Sequence, residues 1–84
     1  MYTVRVKLKD LDEGMRFTSI AQGFIDDVDL TEGSISIDGK SIVGIGYLPY
    51  PCEMNAVLHC DTPSTCNIFD IVMHQFSIER ESKS

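Results

Sequence analysis

Eighty-four residues form one domain, and a domain this small holds a thin core, worth on the order of 3–5 kcal/mol net. The hydrophobic fraction of 43% is ordinary for a globular fold, while 13 acidic against 7 basic side chains leave a formal charge of −6. That balance argues against nucleic acid as a partner, since such affinity comes largely from Lys and Arg neutralising phosphates, and the lack of any apolar run of about eighteen residues argues against a membrane-spanning helix.

The chain opens with strict alternation. Tyr2, Val4, Val6 and Leu8 are apolar, while Thr3, Arg5, Lys7 and Lys9 are not, which predicts a strand with one buried face. The basic trio Arg5, Lys7 and Lys9 is then the solvated face of that strand, too small for a nucleic-acid footprint. Asp10-Leu11-Asp12-Glu13 reads as a helix start, an Asp cap with Glu three positions on, and Phe17, Ile20, Ala21 and Phe24 follow as one apolar stripe. Gly23 weakens the last turn, and Asp26-Asp27 ends the pattern.

Val28 and Leu30 alternate with polar neighbours, Glu32-Gly33 supplies a turn, and Ile35 and Ile37 alternate with Ser34 and Ser36, a β-hairpin in which Gly33 is free to take positive φ. Beyond Asp38-Gly39, Ser41 caps a short helix over Ile42, Val43 and Ile45 that Pro49 and Pro51 stop. Met54 to Cys60 forms the last predicted strand. Thr62-Pro63 then starts a final helix with proline at its first position, and Cys66, Phe69, Val72, Met73 and Phe76 make its stripe. Residues 1–78 make the domain, and 79–84 a polar tail. The order is β-α-β-β-α-β-α, an α+β fold with a four-stranded, mostly antiparallel sheet whose three helices cover one face.

Chemistry-bearing residues are sparse. Cys52, Cys60 and Cys66 are odd in number and irregularly spaced, so reduced thiols in a cytoplasmic protein are expected, without a disulfide framework or zinc site. Met1-Tyr2-Thr3-Val4-Arg5 has no apolar signal core. Gly39-Lys40-Ser41 fails as the end of a nucleotide-binding loop, because the required first glycine falls at Ser34. His59 and Cys60 are strand neighbours pointing opposite ways, so they do not pair as base and nucleophile. His59 and His74 read as surface or edge residues, and Asp26, Asp27 and Asp29 as a solvated turn, not a cation loop. No metal or cofactor is expected, and no catalytic constellation supports an enzyme.

The element order, with Gly14, Met15, Ala21 and Gln22 in the first helix region and Lys40-Ser41-Ile42-Val43-Gly44-Ile45 before Leu48, resembles HPr, the histidine-containing phosphocarrier of the bacterial sugar phosphotransferase system. It is similar above all to divergent HPr-like proteins of Firmicutes, which have a shortened hairpin and often lack the usual site. The resemblance implies an open-faced sandwich. It lays Arg16 where the family's phosphorylated histidine stands, Thr18 on the arginine that helps bind the phosphoryl group, and Ser19 on the helix-starting proline. A carrier needs an imidazole nucleophile, helix N-terminal N–H groups to hold phosphate and a guanidinium to offset its charge. Arg16 stays protonated and cannot be that nucleophile. An anion site near Arg16 is opposed by Asp10, Asp12 and Glu13, and a helix that begins at Asp10 leaves Arg16 inside it, away from the free N–H groups.

Two site expectations follow from the resemblance. Ser41 corresponds to the family's regulatory serine, phosphorylated by a dedicated kinase to give a product that binds a transcription regulator; it is equally a helix cap, and the two roles are compatible. Ile42, Val43, Ile45, Tyr47 and Leu48 correspond to a region that contributes to partner docking, so part of this apolar group is expected to stay exposed, the alternative being that it roofs the core. The functional expectation is an HPr-like protein that has lost histidine phosphotransfer and serves as a regulatory or protein-binding module with a protein partner; the alternative is a phosphoacceptor modified on Ser41.

Overall fold

Alternation at the N-terminus becomes β1 (Tyr2–Leu8) in the computed structural model, which describes residues 1–78. There follow α1 (Leu11–Ala21), the hairpin β2 (Val28–Glu32) and β3 (Ile35–Asp38), α2 (Ile42–Gly46), β4 (Cys52–Leu58), α3 (Pro63–Met73) and a single 3₁₀ turn (His74–Phe76). The polar tail expected over 79–84 lies outside the described residues.

The strands form one sheet in the order β1-β4-β2-β3, and every pairing is antiparallel, a stricter arrangement than the mostly antiparallel sheet expected. Gly33 supports the hairpin with a φ of 58°, which costs glycine nothing for want of a Cβ. β4 begins two residues earlier and ends two residues earlier than the sequence suggests. Its register is set by β1, with Cys52 opposite Leu8 and Leu58 opposite Tyr2, so its limits follow its partner and not its own apolar run.

Val6, Leu8, Val28, Leu30, Met54, Ala56 and Leu58 supply the buried side of the sheet, packed with Phe17, Ile45, Phe69, Met73 and Phe76 from the helical layer. Phe17 meets Phe76 edge-on at 5.7 Å between ring centroids, and Phe24 meets Phe69 the same way at 5.5 Å, a geometry that sets positive ring edge against negative ring face. The opposite side of the sheet carries Thr3, Arg5, Glu53, Asn55 and Thr31. Arg5 reaches across it to form a bidentate pair with Glu32 at 2.8 and 2.7 Å. That hydrogen bond holds the Glu32 carboxyl below its usual range, although a pair so exposed adds little to stability. The three helices thus cover one face and leave the other to water. Among the described residues no helix is long and apolar enough to cross a membrane.

One expectation fails outright. Cys60 and Cys66 are joined by a disulfide, and only Cys52 is free. The turn through Asp61 and Thr62 folds the end of β4 back onto the first turn of α3, a closeness that the count and spacing of cysteines do not encode. Because the bond closes a span of six positions, loop entropy gives it about 2 kcal/mol. Reduction by a dithiol should therefore lower the urea midpoint by a corresponding amount; coincident curves for oxidised and reduced protein contradict it.

Candidate functional site

The start of α1 has the free backbone donors that an anion would need, so their partners matter most. Asp10, in extended conformation, caps the helix: its Oδ1 accepts the Glu13 N–H at 3.0 Å. The Glu13 carboxylate in turn accepts the Lys9 N–H at 2.9 Å, a capping box displaced by one residue from the predicted form. With Asp12 also in the first turn, protein carboxylates already supply the negative charge that a helix N-terminus favours.

Arg16 lies well inside α1 and away from those donors. Its guanidinium donates to Gln75 Oε1 at 2.9 Å and stacks over the Phe76 ring, 5.5 Å from the centroid, which pins α1 to the end of the helical layer. Thr18 is buried, and its hydroxyl donates to the Gly39 carbonyl. Ser19 is exposed in the helix interior and starts nothing. Arg16 is thus a surface brace, Thr18 a core strut and Ser19 solvated, and the three side chains do not converge on one point.

Ser41 caps α2, its Oγ accepting the Gly44 N–H at 3.2 Å, and it remains half-exposed. The apolar group beyond it divides. Ile42, Val43 and Tyr47 are exposed, at 55%, 69% and 85%, whereas Ile45 is fully buried and Leu48 nearly so. Ile45 and Leu48 are therefore corrected from candidate partner surface to core, because α2 is a single turn and must spend its inward side chains as the roof. Leu11 and Met15, one turn apart on α1, extend the exposed apolar set.

Sequence reasoning missed the joint between these two helices. Tyr50 crosses beneath them and donates to the Ile45 carbonyl at 2.7 Å. A Cβ on Gly14 would come within 2.7 Å of Tyr50 Cζ and 3.0 Å of Ile45 Cγ2, so only glycine admits this approach. The signal available was Gly14 in mid-helix, where glycine costs about 1 kcal/mol and needs a packing reason.

The histidines stand elsewhere. His59 follows β4 and its Nε2 lies 2.8 Å from Asp29 Oδ2, while His74 follows α3 and is exposed. His59 is exposed and Cys60 buried in its disulfide, pointing apart as expected. No three His, Cys, Asp or Glu side chains converge as a metal site among the described residues. No protein-family model, curated protein or solved structure matches the chain.

Burial, with Cys52 and Asp10 nearby, pushes the Tyr50 hydroxyl from 10.0 up to about 12. Its neutral form is thus favoured by the fold, a stabilisation present below pH 10.0 and lost as pH rises toward about 12. In an alkaline titration followed by phenolate absorbance, one tyrosine should ionise near 12, and Tyr50→Phe should remove that step; titration of all phenols near 10 contradicts the joint as described.

Proposed function

We propose that this chain is an HPr-like protein that no longer carries phosphate on histidine and works instead as a regulatory or protein-binding module. The observation that carries this reading is the cap of α1. Asp10 occupies the helix N-terminus with its own carboxylate, and Asp12 and Glu13 add charge that repels a second anion. The proposed ligand is protein: Leu11 and Met15 on α1, Ile42 and Val43 on α2 and Tyr47 at its C-terminal cap expose apolar side chains on two helices that meet at Gly14. The acidic balance favours neither nucleic acid nor an anionic membrane surface.

The compartment belonging to this reading is the cytoplasm. There the Cys60 and Cys66 sulfurs are held largely as thiols, so the disulfide represents the oxidised form of the protein. Incubation with phosphoenolpyruvate and the phosphotransferase system's first enzyme should leave no acid-labile phosphate on the chain; a labelled histidine overturns the reading.

A second reading, phosphorylation of Ser41, is favoured by the half-exposed hydroxyl at the α2 cap, where an attached phosphate could accept the same Gly44 N–H. With the family's serine kinase, wild type should be labelled and Ser41→Ala should not; equal labelling of both removes Ser41 from consideration.

A further inference from the structure

We propose that the groove between the C-terminal end of α1 and the length of α3 docks a cationic amphipathic helix of a partner protein. The inference is independent of the phosphocarrier-like reading, since it uses neither the start of α1 nor α2. The groove has a volume of about 600 Å³, with Ile20 and Phe24 along one wall and Ile68 and Val72 along the other. Thr62 to Val72 spans about 15 Å at helical rise, enough for roughly ten residues of a docked helix. Ile68 and Val72 are one helical turn apart, so a ridge of apolar side chains at the same spacing fits between the walls. The apolar surface is open to solvent: Ile68 is 55% exposed, and Ile25, which also lines the groove, is 99% exposed.

Charge selects among occupants. Asp26 and Asp61 line the same groove, and the loops that carry them are brought together where the His59 N–H donates to the Asp27 carbonyl at 3.0 Å. Asp26 is half-buried, and among the described residues neither carboxylate has a salt bridge or a hydrogen bond. A lysine or arginine on the incoming helix would satisfy both, which is the complementarity that directs partner choice. A second copy of this chain is disfavoured, because an isologous contact would bring the same carboxylates from both sides and join two chains of charge −6. In the oxidised form one wall is also pre-set: Asp61, Thr62 and Thr65 lie within the span closed by the Cys60–Cys66 bond, which lowers the ordering cost of binding.

The test uses the oxidised full chain, isotope-labelled for amide spectra and titrated with a synthetic amphipathic helical peptide of leucine and lysine. Saturable shifts should centre on Ile20, Phe24, Ile68 and Val72. The version with glutamate in place of lysine should not bind. Asp26→Asn combined with Asp61→Asn, and separately Ile68→Ser, should each weaken binding about tenfold with an unchanged circular dichroism spectrum. Several results overturn the proposal: no binding, shifts centred on the polar side of the sheet, equal affinity for the glutamate peptide, unchanged affinity in the variants, or self-association of the free chain through the groove in sedimentation.

Discussion

The hydrogen bond from the Glu13 N–H to the Asp10 carboxylate fixes where α1 begins, and the helical layer takes its phase from that point. With Leu11 as the first helical residue, Gly14, Phe17, Thr18 and Ala21 turn inward, and Arg16 turns out toward Gln75 and Phe76. Had the helix begun near Ser19, Phe17 would fall outside it and the core would lose a fully buried ring. The same start brings Gly14 over Tyr50 and so seats α2. The first-turn donors of α1 are therefore taken by a carboxylate that belongs to the chain, and the N-terminal end of the helix is closed by the protein itself.

Thr18 ties α1 to the turn that follows β3. Its hydroxyl donates to the Gly39 carbonyl, while the Gly39 N–H donates to the Val28 carbonyl at 2.7 Å. Both backbone groups of Gly39 are thereby satisfied inside the protein, as buried polar groups require. A Cβ on Gly39 would lie 2.9 Å from the Val28 carbonyl oxygen and 3.2 Å from the Phe17 ring, so glycine there answers to packing. Asp38 Oδ1 accepts the Lys40 N–H at 2.9 Å and completes the turn. Every position of the Asp38-Gly39-Lys40-Ser41 signature has a structural reason: Lys40 Nζ donates to the Phe24 carbonyl at 2.6 Å, and Ser41 caps α2 while its side chain stays half-exposed.

The parts of the fold that could be read from the sequence are those decided locally. Period-two alternation over Tyr2–Leu8, the Glu32-Gly33 turn, the Asp10 cap and proline at the first position of α3 each carry their own physical signal, and each element formed. What could not be read depends on who packs against whom. The extent of β4 is set by β1, the burial of Ile45 and Leu48 by the shortness of α2, and the meeting of Cys60 with Cys66 by a turn whose path no spacing rule supplies. Thr62 stands at the cap of α3 as expected, yet its hydroxyl bonds Thr65 Oγ1 at 2.8 Å and not a backbone N–H. At the candidate site, Ser41 and the exposed part of the α2 group were legible; the Gly14–Tyr50 joint was not, because Tyr50 lies in the loop beyond the helix.

Strand order has a consequence for how the chain assembles as it is made. β4 is the last strand in sequence and yet lies between β1 and β2, with Tyr2 opposite Leu58. In the order of synthesis the first strand therefore waits, its backbone groups unpaired, until β4 has been made, while the β2–β3 hairpin can close early. The central strand acts as the late keystone. Truncation before it leaves β1 with no partner in the sheet and β2 with one edge open.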